Sequence, residues 1–142
     1  MTPIVSFHGI AHPWLCDANG HLNTRHYVGA FDDAAQHFLA EIGGKPGEGF
    51  GWADVSQRIT YLREVSLGAL FTVDCDVQRV GRSSIDYLQR LTTLGDEEPA
   101  AIVEAVTVRF DLRRRRASPL PEAFADRARE LLVDGPVAET TA

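Results

Sequence analysis

From residue 24 onward, apolar side chains return every three or four positions: Tyr27, Val28, Phe31, Ala34, Ala35, Phe38, Leu39 and Ile42. That spacing gathers them on one broad face and predicts an amphipathic helix. Asn23 is a good N-cap, and Gly43-Gly44 a good C-terminal stop. A helix from Thr24 to Ile42 spans roughly 28 Å, and its alanines let a sheet approach closely. The stretch from Gly43 to Gly51 is rich in Gly and Pro and reads as a loop. Beyond it the period changes to two. Strands are predicted from Ser56 to Val65, from Leu70 to Val80, from Ser84 to Leu94 and from Ala100 to Leu112. In the first of these, Ile59, Tyr61 and Val65 share a side, while Glu64 falls on the other with Leu62. Phe71, Val73, Cys75 and Val77 share a face of the second, opposite Thr72, Asp74 and Asp76. Val5 to Ala11 is a weaker strand ahead of the helix. Pro119 and Pro121 open a short C-terminal helix carrying Phe124, Ala128, Leu131 and Leu132.

The fold class is therefore α+β. A long helix packs on an antiparallel sheet of about five strands in β-α-β-β-β-β order, with a short helix at the end. The turns Val80-Gly81-Arg82-Ser83 and Gly95-Asp96-Glu97-Glu98-Pro99 are short enough for an antiparallel meander. Residues 1–132 read as one domain and residues 133–142 as a frayed tail. One helix covers one sheet face, so a homodimer or a dimer-based tetramer is expected.

Composition narrows the class of partner. The chain has 142 residues, 44% hydrophobic and 24% charged, the proportions of a globular domain with a real core. Its net charge of −6 argues against a general nucleic-acid binder, which needs a basic face. No apolar run reaches the length of a membrane span. Met1 to Gly9 lacks the charged start and apolar stretch of a signal peptide, so the expected compartment is the cytoplasm. Cys16 and Cys75 form no zinc or redox pattern and read as small buried residues. A thiol nucleophile at Cys16, beside Asp17, ranks low because no dedicated base is spaced to serve it. His8, His12, His26 and His37 have no ligand spacing, and neither a metal nor a cofactor is expected.

The densest chemistry lies at Asp17-Ala18-Asn19-Gly20-His21-Leu22-Asn23, directly ahead of the long helix. A carboxylate, an imidazole and two amides meet the free backbone N–H groups and the positive end of the helix dipole. Such a site can polarise a carbonyl and activate a water. Each residue also has a plainer reading. Asp17 and Asn19 suit a turn, His21 a satisfied polar group, and Asn23 an N-cap.

Asp17-x-Asn19-x-His21-Leu22-Asn23-x-x-x-Tyr27 resembles the D-x-N-x-H-[VL]-N-N-x-x-Y signature of plant-type acyl-carrier-protein thioesterases and related bacterial acyl-CoA thioesterases. Thr24 departs from it, standing where a second asparagine is common. Gly20 is similar to the glycine of the D-x-x-G motif in the 4-hydroxybenzoyl-CoA branch. Tyr61-Leu62-Arg63-Glu64 resembles the plant-type strand that carries a glutamate implicated in catalysis. Phe31-Asp32-Asp33-Ala34 with Ile42-Gly43, and Arg115-Arg116-Ala117-Ser118-Pro119-Leu120-Pro121, are similar to bacterial thioesterases that act on betainyl-CoA.

The resemblance implies a hotdog fold and hydrolysis of a short or medium acyl-CoA. It implies Asp17, Asn19, His21, Asn23 and Glu64 as the catalytic set, with Asp17, or Glu64 across a dimer interface, acting as base or nucleophile. Arg113, Arg114, Arg115 and Arg116 form the strongest basic run; together with Arg63 and Arg82 they suit the phosphates of coenzyme A, or form a solvated face. Trp14, Phe50, Trp52 and Tyr61, with Tyr27 and Phe31, suit an acyl pocket, or simply the core. A hotdog module that binds acyl-CoA without cleaving it, and a hotdog hydratase or dehydratase, are the alternatives.

Overall fold

The computed structural model describes residues 3–133; the expected tail, Val133 apart, lies outside the described residues. The elements are β1 (Ile4–Ile10), a 3-10 turn (Pro13–Leu15), α1 (Thr24–Glu41), β2 (Phe50–Tyr61), β3 (Leu70–Val80), β4 (Ser84–Thr93), β5 (Ala101–Asp111), β6 (Arg116–Ala117) and α2 (Glu122–Glu130). The six strands form one antiparallel sheet in the order β1-β3-β4-β5-β2, with the short β6 also on β5.

α1 forms where its pattern places it. Asn23 Oδ1 accepts the Arg25 N–H at 3.2 Å, and Gly43 continues the chain with a φ of 99°, which L side chains rarely adopt. Its face of Tyr27, Ala30, Phe31, Ala34, Ala35, Phe38 and Leu39 is buried. It lies over β1 and β3, meeting Phe71, Val73, Cys75 and Val77 from the sheet. Close approach depends on glycine at two points. A Cβ at Gly9 would come within 2.4 Å of the Phe71 ring, and one at Gly44 within 2.7 Å of Phe124. Gln89 is buried in β4, and its amide donates to the Phe31 carbonyl of α1 at 2.9 Å. Cys75 is buried too, and burial pushes its thiol up to about 11.

The bounds of one expected strand need correction. β3, β4 and β5 form the predicted meander, but β2 does not neighbour β3. It crosses to the far edge and pairs with β5, from Phe50↔Asp111 to Tyr61↔Ala101. β2 also begins six residues earlier than the expected Ser56 and stops at Tyr61, short of Val65. Glycines at 49 and 51 hid its start. It ends because the Leu62 and Arg63 N–H groups both turn to one acceptor, the Ala100 carbonyl (2.8 and 3.1 Å). Glu64 therefore sits in a loop rather than on a strand face.

The face of the sheet turned away from α1 carries charge. Arg90 bridges Asp74, at 2.8 Å, and Asp76, and Arg58 lies 4.0 Å from Glu104. The edge strand β2 is bare in its middle, where residues 54–58 are all exposed around a bulge at Val55. Among the described residues, no helix is long and apolar enough to cross a membrane.

Candidate active site

The polar heptad closes into a compact loop at the start of α1. Gly20, with a φ of 78°, lets the chain turn so that its N–H reaches the Asp17 carbonyl at 3.0 Å and the Asp17 N–H reaches the His21 carbonyl at 2.9 Å. The Asp17 carboxylate works partly for this turn: Oδ1 accepts the N–H groups of Asn19 (2.9 Å) and His21 (3.4 Å). The turn reading and the chemical reading of Asp17 thus coexist, since Oδ2 makes no such bond and the residue is exposed.

A second loop, residues 62–69, clamps the first. The Leu22 N–H donates to Val65 O at 2.8 Å, the Leu67 N–H donates to Gly20 O at 2.9 Å, and His21 bridges to Ser66. This clamp brings Glu64 Oε2 to 3.0 Å from His21 Nε2 within one chain. The Glu64 side chain is 75% exposed and that of His21 30% exposed. A pair this open adds little to stability, typically about 0–1 kcal/mol. Its consequence is orientation, because it fixes the imidazole.

Tyr27 completes the cluster. Its ring meets Tyr61 edge-on, with centroids 5.2 Å apart. Burial raises the pKa of its hydroxyl, an effect offset by the Val65 backbone; the charges of Glu64 and Asp17 raise it further. Tyr27 therefore stands among Asp17, Glu64 and Tyr61, whereas the sequence assigned it to the acyl pocket alone. Its place in the motif, one turn into the helix, was the available signal. Asn23 is the helix cap, and its side chain bonds Arg25 rather than the cluster. Asn19 contributes its backbone to the turn and keeps an exposed side chain.

The other candidates are spread widely. Phe31 is buried one turn beyond Tyr27. Trp14 is 73% exposed and stacks on His12. Trp52 lies at the opposite end of β2 against Phe124, its indole N–H donating to Gly44 O at 2.6 Å, and so does not join Tyr27 and Tyr61. Of the candidate arginines, Arg63 adjoins Glu64 in the second loop, with its guanidinium 4.0 Å from Asp96. Arg113 to Arg115 lie in the turn between β5 and β6, and Arg116 opens β6, beside the start of β2. There Asp111 accepts the Arg113 and Arg114 N–H groups, and Arg115 adopts a φ of 59°. These bonds, Arg114's first, hold the Asp111 carboxyl below its usual range. Arg82 occupies the neighbouring β3–β4 turn, its carbonyl bound by the Leu120 N–H. Phe50 and Tyr61, which mark the two ends, are separated by about 36 Å of strand. Among the described residues, no group of three or more His, Cys, Asp or Glu is placed to hold a metal ion.

A carboxylate, a carboxylate-paired imidazole and a tyrosine hydroxyl thus gather beside the N-terminus of a long helix wrapped by an antiparallel sheet, the hotdog arrangement. The chain belongs to the thioesterase-like superfamily, whose description matches residues 11–128. Solved structures share the fold. A candidate thioesterase of Pseudomonas putida KT2440 is 22% identical with a TM-score of 0.83, covering 100% of this chain and 96% of that one. The hypothetical protein SAV2348 of Staphylococcus aureus, solved in complex with CoA, is 20% identical with a TM-score of 0.85, covering 98% and 92%. The PA5185 protein of Pseudomonas aeruginosa is 26% identical with a TM-score of 0.82, covering 91% and 92%. No curated protein matches the sequence.

Proposed function

We propose that the protein hydrolyses a short or medium acyl-CoA thioester to the free acid and coenzyme A. The observation that carries this reading is the 3.0 Å His21–Glu64 contact beside Asp17 at the start of α1. Backbone N–H groups of the first helical turn receive the thioester oxygen as negative charge develops. Asp17, or Glu64 acting through His21, takes the proton of an attacking water; direct attack by Asp17 is the competing route. The open carboxylates and the imidazole set this apart from a module that only holds its ligand. The CoA bound by the Staphylococcus aureus protein supports the same substrate class.

The site calls for a second copy of the chain. The Arg113–Arg116 turn and the Asp17 cluster lie at opposite ends of β2, farther apart than an extended pantetheine arm. β2 is an edge strand, paired with β5 along one side and open along the other, with an exposed middle. Antiparallel pairing of two β2 strands sets the basic end of one protomer beside the Asp17 end of its partner. Arginines of one chain then serve phosphates held at the site of the other.

Thiol release by the purified protein with betainyl-CoA, butyryl-CoA, 4-hydroxybenzoyl-CoA and palmitoyl-CoA tests the activity, read as kcat/KM. We expect turnover of the shorter acyl groups and its loss in Asp17→Asn. Binding without thiol release would establish the non-catalytic module, and hydration of an enoyl-CoA the hydratase.

A further inference from the structure

We propose that the cleft between the Gly43–Phe50 loop and the beginning of α2 is a phosphate-binding site, held by Lys45 and Arg109 and suited to the phosphorylated end of a nucleotide. It is a half-open cleft of about 280 Å³, at the end of the sheet remote from Asp17 of the same chain, and Trp52, Phe124 and Pro121 complete its lining. None of the residues assigned above to catalysis or to CoA contact lies in it, and part of its test rests on the thioesterase reading.

Three observations converge on this cavity. The first is charge. The protein carries −6 overall, yet Lys45, Arg79, Arg82, Arg109 and Arg113 to Arg116 gather at this end, with Asp86, Asp111 and Glu48 among them. Among the described residues, neither Lys45 nor Arg109 has a carboxylate within salt-bridge distance. Cations left without a partner inside an acidic protein suit an anionic ligand.

The second is preorganisation. The Arg109 guanidinium carbon sits over the Phe50 ring, 3.8 Å from its centroid, and one amino group donates to Pro119 O (3.1 Å) and Ser118 Oγ (3.3 Å). Stacked and tethered this way, the fork is held in one orientation, and the Nε and Nη2 donors make no bond among the described residues. A guanidinium fixed through one edge and open on the other matches phosphate, which it can grip with two parallel bonds.

The third is space. The rim holds Gly43, Gly44, Gly47 and Gly51, and a Cβ at Gly43 or Gly47 would meet nothing within 4 Å. The N–H groups of Gly43, Gly44 and Gly47 are taken by Ala40 O, Leu39 O and Phe50 O, so these glycines give a ligand room rather than donors. The Trp52 indole N–H is already used by Gly44 O, so Trp52 gives a flat apolar wall suited to a base rather than another donor. Glu48 is the one carboxylate in the lining. It stands on the exposed loop and is outnumbered by Lys45 and Arg109.

Titration calorimetry with adenosine 3′,5′-bisphosphate, with adenosine as the phosphate-free control, tests the site on the full-length protein. The wild type should prefer the bisphosphate, and Lys45→Glu should weaken it tenfold or more; this loop residue is exposed, so the fold should survive. Arg109→Lys, which keeps the charge and removes the fork, should weaken it severalfold. Equal affinity in wild type and Lys45→Glu, or no preference over adenosine, overturns the proposal. This arm needs no turnover and so stands apart from the thioesterase reading. A second arm names the source of the phosphate. If KM in Lys45→Glu rises for acyl-CoA but not for the same acyl group on pantetheine, the site receives the nucleotide of the substrate. If both KM values hold while the bisphosphate affinity falls, it receives a separate phosphorylated ligand. Either result supports the phosphate site.

Discussion

The two ends of β2 differ in kind. At the Tyr61 end, two loops are cross-braced by backbone hydrogen bonds, and Asp17, His21, Glu64 and Tyr27 crowd the start of α1. At the Phe50 end the chain collects cations and glycines on turns, with Asp111 tying down the backbone of the arginine run. The first end holds groups that move protons. The second holds groups that can only attract and orient anions, since arginine does not titrate in the working range. Polar chemistry beside a core demands partners for every buried group, and the clamp between residues 16–22 and 62–69 supplies them. Cations at a turn need no such bracing. The proposed division of labour follows from that difference, as does the demand for a second protomer to bring unlike ends together.

The largest effect should come from the proton-handling end. Asp17→Asn keeps the size of the side chain and its acceptor for the turn while removing the base, and kcat should fall by about 100-fold or more. Near-normal turnover in a folded mutant would take Asp17 out of the mechanism. Glu64→Gln should lower kcat by roughly tenfold or more, as expected when a base loses the carboxylate that orients it. Because the pair is exposed, the midpoint of thermal unfolding should hardly move. A large loss of stability would instead make the pair structural.

The opposite end should answer in KM. Replacing Arg113 to Arg116 with glutamine should raise KM for acyl-CoA severalfold, leave kcat nearly unchanged, and lose its effect in high salt. Mixing this variant with Asp17→Asn sharpens the comparison. Mixed dimers regain one site with both ends intact, so activity at substrate well below KM should recover above that of either parent. No recovery, with subunit exchange verified, would place both ends on one chain's own substrate and remove the composite site.

The smallest effect belongs to the middle of the sheet. Gln89→Leu removes the bond to the Phe31 carbonyl, which should cost about 1 kcal/mol in urea unfolding. Neither kcat nor KM should change. If either shifts strongly, the two ends communicate through α1 and are not the separate functions described here.

Much of this was legible in the residues themselves. The periodicity of Tyr27 to Leu39, the Asn23 cap and the glycine stop determined α1, because helical spacing and capping are local properties. The alternation in β3, β4 and β5 determined their faces and meander for the same reason. The heptad from Asp17 to Asn23 announced a polar loop at a helix start. What tertiary structure alone decided is long-range. β2 joins β5 rather than β3, because pairing across the sheet depends on which edge α1 leaves open and not on local pattern. The same crossing ends β2 at Tyr61 and hands the next residues to the Asp17 loop, which brings Glu64 to His21 over forty positions of sequence. It also sends the arginine run and Trp52 to the far end, away from the aromatic pair of Tyr27 and Tyr61. Local pattern sets what each segment can become; only the closing of the sheet determines which segments meet.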